Sequence, residues 1–160
     1  MIDVRKIKII LWDFDDTLCF HSDHSSPEDV FDTECNVGVL LGQNVYSACS
    51  MNNSIKRFID YAKHENKRQG LISGVDCFIH ARNKENWVKE HYDIELENYC
   101  VNSQEMKLGM LIAIAEAFDY ARDEILLVDD VWDNLERAAD NGFQSATPVE
   151  VINFVEQHKL

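Results

Sequence analysis

The sequence predicts a three-layer, doubly wound α/β domain built on a parallel sheet. Two short runs, residues 7–12 and 125–128, are continuously apolar, as expected for strands that helices cover on both faces. Segments with apolar residues at helical spacing lie between the strand-like runs, so strand and helix alternate along the chain. Because a strand, a helix and a second strand pair in parallel with a right-handed crossover, this alternation indicates one sheet between two helical layers.

The predicted elements follow one another in a regular order. Short apolar runs between turn residues predict strands at 7–12, 71–72, 99–101, 125–128 and 143–146. Apolar residues three and four positions apart predict helices at 53–68, 78–92, 104–118, 132–140 and from 148 onward. Every predicted helix therefore lies between strands or follows the last one.

Capping and turn residues support several of these boundaries. Asn53 is a suitable N-cap for the first helix, and Gly70 is expected to follow the end of that helix. Gly142 closes the helix at 132–140. Thr147 and Pro148 are suited to be the N-cap and the first residue of the last helix.

Residues 19–51 interrupt the alternation of strands and helices. The segment is rich in Ser, Asp, Asn and Gly around an apolar island at 37–41, and it is too long for an ordinary connection. Since it follows the first strand, we expect a flap or small cap over any site that the sheet carries. The sequence shows no repeat and no second domain, so we predict a single domain over residues 1–160.

Charge and composition argue against several classes of protein. The 160 residues carry a formal net charge of −14 and show no basic patch, so we expect no nucleic-acid partner. The apolar runs are too short for a membrane span or a signal peptide, so we expect no membrane partner. The five cysteines include no CxxC pair, which favours reduced thiols and a cytoplasmic location. The sequence does not indicate an oligomeric state.

Four acidic residues follow two of the predicted strands. Asp13 and Asp15 come after the first strand, and Asp129 and Asp130 come after the strand at 125–128. Because the carboxyl ends of parallel strands meet at one edge of the sheet, we expect these side chains to gather there. Asp13 and Asp130 offer the hard oxygen ligands that suit Mg²⁺, and repulsion among clustered carboxylates favours a bound cation. We therefore predict a magnesium site.

Other polar residues are predicted to reach the same edge. Ser73 and Gly74 follow the second strand. Lys107 lies near the start of a helix, and Asn134 is four residues after Asp130. The Lys107 ammonium group can offset acidic charge and hold a phosphate, and the Ser73 hydroxyl can donate to a phosphoryl oxygen. Together with the acids, these residues fit a magnesium-assisted attack of a carboxylate on phosphorus. Each residue alone has an ordinary structural explanation, such as an acid that caps a helix, so the prediction depends on their combination.

Four motifs resemble those of the haloacid dehalogenase (HAD) superfamily. The segment ILWDFDDTL resembles its first motif, in which apolar residues precede DxDxT. LISG resembles its second motif, and Lys107 matches the third. LLVDDVWDNLERAADNGF resembles the fourth motif in its DDxxxN form. The resemblance covers the chain except for residues 19–51 and implies the same three-layer fold.

This resemblance implies catalytic and metal-binding roles. Asp13 would be the nucleophile and a magnesium ligand. Asp15 would be the general acid and base, with its backbone carbonyl on the metal. Asp130 would be the second side-chain ligand, oriented by Asp129 and Asn134. Dehalogenase members lack an acid at the position of Asp15, so the resemblance favours phosphoryl transfer.

The resemblance also implies which residues hold the substrate phosphate, namely Ser73, Gly74, Lys107 and Thr17, of which Thr17 would also shape the first loop. The short chain and small insert are similar to small-cap or capless phosphatases, including the magnesium-dependent phosphatase group. Members of that group commonly have an arginine after the second-motif serine, where this chain has Gly74.

The expected activity is hydrolysis of a phosphomonoester through an aspartyl-phosphate on Asp13, and the substrate is a phosphorylated small molecule or side chain. Three alternatives remain: a phosphomutase, a receiver-like module that accepts phosphate on Asp, and an inactive phosphate-binding module. A mutase needs a larger cap than residues 19–51, and a receiver has its Asp-Asp pair after the first strand. His21 and His24 are candidates for substrate contact.

Overall fold

Residues 2–20, 46 and 49–160 are described by a computed structural model of the chain. They contain the strands β1 (Ile9–Trp12), β2 (Cys19–Phe20), β3 (Ser50–Met51), β4 (Arg68–Leu71), β5 (Glu97–Asn98), β6 (Ile125–Val128) and β7 (Gln144–Ala146). Five of them form a parallel sheet in the order β5-β4-β1-β6-β7, and β2 pairs with β3 in antiparallel fashion. The first strand is therefore central, and the chain winds outward from it in both directions.

Helices cover both faces of this sheet. The described residues form α1 (Asn53–His64), α2 (Phe78–Tyr92), α3 (Lys107–Phe118), α4 (Trp132–Asp140) and α5 (Pro148–His158). Helices α1, α2 and α5 share one core, and α3 and α4 share the other. Alternate residues of β1 divide between the two cores, with Ile10 and Trp12 in the first and Ile9 and Leu11 in the second. The predicted three-layer, doubly wound α/β fold is confirmed.

Gly70 lies inside β4, so the prediction that it follows the end of a helix is wrong. Helix α1 ends at His64, and the strand begins at Arg68. A Cβ atom on Gly70 would lie 2.6 Å from the ring of Tyr99 and 2.9 Å from a methyl group of Leu11. Glycine is therefore needed here because a neighbouring ring packs directly against the strand backbone.

Capping residues set the ends of two helices. Asn52, and not the predicted Asn53, is the N-cap of α1, where its side-chain oxygen accepts the Ile55 N–H at 3.3 Å. The predicted N-cap of α5 is confirmed, because the Thr147 hydroxyl oxygen accepts the Glu150 N–H at 3.2 Å. This capping box fixes where α5 begins.

Two further boundaries differ from the prediction. The strand predicted at 99–101 lies at Glu97–Asn98, and Val101 makes only an isolated bridge with Gly74. The first turn of the helix predicted at 104–118 is a 3₁₀ turn at Gln104–Met106. Lys107 consequently becomes the first residue of α3, at the end nearest the carboxyl edge of the sheet.

The short β2–β3 pair stands at the two ends of the predicted flap. Apart from Tyr46 and Cys49, the rest of that insert lies outside the described residues, and so do His21 and His24. No helix in the described part of the chain combines the length and apolar character that a bilayer span requires.

Candidate active site

The candidate site lies at the carboxyl edge of β1, β4 and β6. Trp12, the last residue of β1, is paired with Leu71 and with Val128, so the three strands end at one level. Hydrogen bonds continue this alignment past the strand ends. The Ile72 N–H donates to the Trp12 carbonyl at 2.8 Å, and the Asp13 N–H donates to the Val128 carbonyl at 2.9 Å. Residues that directly follow these strands are thereby brought together, as is usual for ligand sites in doubly wound sheets.

The loop after β1 is wound tightly around the carbonyl group of Phe14. This carbonyl accepts the backbone N–H groups of Leu18 and Cys19, both at 2.9 Å. Asp16 has a left-handed backbone with φ of 53°, a region that Asp tolerates better than most residues. The Phe14 ring is fully buried in edge-to-face contact with Tyr46. The loop is thus anchored between the two acids that flank Phe14.

Three carboxylates form the acidic centre of the site. Oxygen atoms of Asp13, Asp129 and Asp130 lie within 4.8 Å of one another. Asp13 is only 2% exposed, and its Oδ1 atom lies 2.9 Å from the ammonium group of Lys107. Carboxylate oxygens gathered in this way are the hard ligands that Mg²⁺ prefers, so this donor set is suited to hold such an ion.

Lys107 lies against the acidic centre. Its Nζ is 2.9 Å from Asp13 Oδ1 and 2.7 Å from Asp129 Oδ2, and only the second contact has hydrogen-bond geometry. Burial acts to lower the pKa of Lys107, but the two carboxylates outweigh it and raise that pKa. Burial raises the pKa of Asp13, and the Lys107 charge opposes this rise. Lys107 is therefore a permanent charge that favours the ionised form of Asp13.

Asp129 is held by donors from the protein. Its Oδ1 accepts the Val131 N–H at 2.9 Å, and its two oxygens accept the Asn134 amide at 3.2 and 3.1 Å. The side chain is completely buried. Asp130, in contrast, is exposed and lines the cavity. This arrangement is consistent with Asp130 as the ligand and with Asp129 and Asn134 as supporting residues.

Lys84 brings a second buried ammonium group to the site. It lies on α2, its side chain is 1% exposed, and its Nζ is 2.7 Å from Asp15 Oδ2. The same ammonium donates to Ser73 Oγ at 2.8 Å and to the Gly74 carbonyl at 2.9 Å. Its nitrogen also lies 5.2 Å from the centre of the Phe14 ring. One side chain thus joins the loop after β1 to the loop after β4.

Lys84 is not among the residues predicted from the sequence, although a signal for it exists. The buried positions of α2 include Ala81, Lys84, Trp87 and Val88, which recur at helical spacing. A lysine on that apolar stripe is unusual, because charged side chains are seldom buried without a partner. The partners themselves come from loops that only the folded sheet brings near.

The charges of the site do not balance. Partial burial, followed by the charges of Asp13 and Asp129, raises the pKa of Asp130 to about 7. Six carboxyl groups lie at the site or line its cavity, against the two ammonium groups of Lys84 and Lys107. A bound divalent cation would offset part of this excess of acidic groups.

The predicted phosphate-binding residues differ in their access to the cavity. Gly74 lines the cavity, whereas Ser73 and Lys107 are almost completely buried. Thr17 is also buried, and its hydroxyl has no hydrogen-bond partner among the described residues. Thr17 is thus buried inside the loop after β1, and its role in shaping this loop stays a prediction.

A cavity of about 750 Å³ opens above the acidic centre. Its walls are formed by Asp13, Asp15, Asp16, Gly74, Val75, Asp76, His80, Lys84, Asn102, Ser103, Gln104, Asp130 and Val131. Burial, and then the charge of Lys84, lowers the pKa of His80 to about 4, so this imidazole is neutral at pH 7. The volume is within the usual range for a small-molecule site.

No family profile and no curated protein matches the sequence, but solved structures share its fold. A HAD family enzyme from Bacteroides thetaiotaomicron, in complex with magnesium, is 18% identical with a TM-score of 0.56; the match covers 89% of this chain and 93% of that one. The cobalt-bound deoxy-D-mannose-octulosonate 8-phosphate phosphatase from Haemophilus influenzae is 15% identical with a TM-score of 0.55, over 94% of this chain and 75% of that one.

A hypothetical protein from Xanthomonas campestris gives 13% identity and a TM-score of 0.54 over 89% of this chain. Here the present chain spans only 64% of the other protein's length. At these identities the similarities establish the fold. The chain has the fold of HAD superfamily phosphatases, as its motifs predicted.

Proposed function

We propose that the protein is a magnesium-dependent phosphomonoester hydrolase in which Asp13 is the covalent nucleophile. The observation that carries this proposal is the state of Asp13. Its carboxylate directly follows the central strand, is nearly inaccessible, lies 2.9 Å from the Lys107 ammonium and lines the cavity. A carboxylate that is buried beside an ammonium group and open to one cavity is suited to attack a bound phosphoryl group.

The first chemical step transfers the phosphoryl group to Asp13. A carboxylate oxygen of Asp13 forms a bond to phosphorus while the bond from phosphorus to the ester oxygen breaks. Asp15, two residues away on the same loop, supplies the proton that the leaving alkoxide takes up. Lys107 stabilises the carboxylate before attack and the acyl phosphate afterwards, because it is buried and charged.

The second step returns the enzyme to its starting state. Asp15, now ionised, accepts a proton from water, and the water oxygen attacks phosphorus. The bond between phosphorus and the Asp13 oxygen breaks, which releases inorganic phosphate. The proton taken from water restores the acid form of Asp15, so the cycle is balanced.

Magnesium would be held by the carboxylates of Asp13 and Asp130 and by the Asp15 backbone carbonyl. When bound, it would supply Lewis-acid stabilisation of the charge on the phosphoryl oxygens. The clustering of carboxylate oxygens and the excess of acidic over ammonium groups at the site support this part of the proposal. The magnesium complex of the HAD family enzyme from Bacteroides, which shares the fold, supports magnesium further, and the cobalt-bound phosphatase from Haemophilus supports a divalent metal.

The Asp13→Asn variant tests the proposal. Turnover should be lost while the fold is retained, because an amide has nearly the same size as the carboxylate but is a poor nucleophile. The matched control is Asp16→Asn, which removes a neighbouring acid of the same loop that also lines the cavity. Free phosphate should be measured against a panel of sugar phosphates, nucleotides and phosphopeptides, and rapid-quench mass spectrometry should detect the phosphoryl adduct. An Asp13→Asn enzyme with activity within about tenfold of the parent would show that another residue attacks.

A further inference from the structure

Lys84 has a position that none of the four motifs explains. We propose that Lys84 is a positioning residue, which fixes the hydroxyl of Ser73 and the carboxylate of Asp15 for phosphoryl transfer. The inference rests on the proposed function and adds a residue to its machinery. It begins from three contacts of one ammonium group, made at 2.7, 2.8 and 2.9 Å.

The contact with Ser73 sets the direction of the serine hydroxyl. An ammonium group has three N–H donors and no acceptor, so Ser73 Oγ must accept in this contact. The hydroxyl hydrogen therefore points away from Lys84. Ser73 is 1% exposed and directly precedes Gly74, which lines the cavity. Lys84 thus keeps the hydroxyl available as a donor to a phosphoryl oxygen.

The contact with Asp15 holds the proposed general acid in one orientation. Lys84 Nζ lies 2.7 Å from Asp15 Oδ2, while Asp15 itself sits on the loop that carries the nucleophile. The ammonium also donates to the Gly74 carbonyl, which belongs to the loop after β4. Lys84 therefore bridges the proposed proton donor and the phosphate-binding serine.

Stability alone does not account for a buried lysine at this position. Asp15 is 23% exposed and lines the cavity, so water can solvate its carboxylate in part. Lys84 must instead be removed from water, which is unfavourable, and a buried ion pair is often no more stabilising than an apolar side chain of similar size. A methionine at position 84 would satisfy the apolar face of α2. The ammonium is explained by what it does to Asp15 and Ser73.

Lys84 is also the only lysine or arginine among the described residues that line the cavity. His80, one helical turn earlier, is neutral and is engaged through Nδ1, which accepts the Asp76 N–H at 3.4 Å. The Lys84 ammonium also lies over the buried Phe14 ring, and its side chain is only 1% exposed. The ammonium is therefore held in place rather than able to swing into the solvent.

The test compares Lys84→Met with Lys89→Met, which removes an exposed lysine from the same helix. A positioning residue that acts through the general acid should matter most for a poor leaving group. For Lys84→Met we expect kcat/KM to fall about 10–100-fold with an alkyl phosphate and clearly less with a nitrophenyl ester. Lys89→Met should match the parent with both esters. Small alkylammonium ions should partly restore alkyl ester turnover in Lys84→Ala, because the removed side chain borders the cavity.

Binding of inorganic phosphate gives a second readout that does not need turnover. Calorimetric titration of the magnesium-loaded protein should show phosphate affinity about tenfold weaker in Lys84→Met than in the parent. Because Lys84 is proposed to act through Ser73, the Lys84→Met/Ser73→Ala double variant should bind phosphate no more weakly than Ser73→Ala alone. In kinetics, Lys84→Met and Asp15→Asn should likewise be non-additive for the alkyl ester.

Each outcome decides the inference. Equal losses with both esters, together with a lowered melting temperature, would show that Lys84 is merely structural. Unchanged phosphate affinity and unchanged leaving-group dependence in Lys84→Met would overturn the assignment directly. If Asp13→Asn kept its activity, the proposed function would fail, and the phosphate titrations would still decide whether Lys84 orients Ser73.

Discussion

Lowering the pH from 8 to 6 should weaken magnesium binding, because Asp130 exchanges its proton in this interval. Partial burial, and then the charges of Asp13 and Asp129, raise the pKa of Asp130 to about 7. A metal ligand must be deprotonated, so protons compete with the cation. At pH 8 about nine-tenths of the Asp130 carboxyls are ionised, and at pH 6 about one-tenth are. Asp130 alone therefore predicts a dissociation constant about tenfold higher at pH 6 than at pH 8.

Two features of the site modify this value. Asp130 is exposed to the cavity, and water there screens the neighbouring charges, which reduces the effect. Burial also raises the pKa of Asp13, which adds competition in the same direction. Both carboxyls therefore give weaker binding at lower pH, and neither reverses the sign.

The assay is calorimetric titration of Mg²⁺, or of Mn²⁺ as a tighter-binding probe, into chelator-treated protein at several pH values. Buffers with different ionisation enthalpies should reveal proton release at pH 7, about half a proton for a group with a pKa near 7. Asp130→Asn is the control, since it should bind more weakly and lose most of the pH dependence. A dissociation constant that stays the same between pH 6 and 8 would refute the role of Asp130 as a titrating ligand.

Four further outcomes are expected. Lys107→Ala should lower kcat by a factor on the order of 10²–10³, because Asp13 and Asp129 lose their shared ammonium; an unchanged rate would remove Lys107 from the site. Asp15→Asn should accumulate phosphoenzyme with a nitrophenyl ester and slow the first step with an alkyl ester, and rapid-quench kinetics with parental rates and no adduct would contradict this. Gly70→Ala should destabilise the fold by about 1–3 kcal/mol because its Cβ would clash with Tyr99. Gly109→Ala, in an exposed position of α3 with no atom within 4 Å of its Cβ, should instead stabilise by about 0.4–1 kcal/mol in thermal unfolding.

Elements whose signals are local could be predicted from the sequence. The strand at 125–128 and the helices at 78–92 and 132–140 were all predicted with the bounds that the structure shows, because apolar pattern and turn residues agree there. Gly70 was assigned wrongly because glycine near a helix end usually marks a boundary. Here the glycine is required by the Tyr99 ring, which is 29 residues away in sequence and becomes a neighbour of Gly70 only in the folded sheet.

The acids of the site could be predicted from the sequence, whereas Lys84 could not. The acids after β1 and β6 could be expected together, since residues that follow parallel strands share one edge. Lys84 could not be placed in the same way, because it lies in the second turn of α2 and not after a strand. Only the packing of α2 against the Phe14 loop brings its ammonium to Asp15 and Ser73.

The two lysines reach the site from opposite sides of the sheet. Lys107 begins α3, in one helical layer, and contacts Asp13 and Asp129. Lys84 belongs to α2, in the other layer, and contacts Asp15 and Ser73. The ammonium group beside the proposed nucleophile and the one that contacts the proposed acid therefore come from different helical layers. A cavity made by Trp87→Ala should disturb the position of Lys84 and thus proton transfer, because Trp87 lies three residues after Lys84 on α2 and packs edge-to-face against the Phe14 ring.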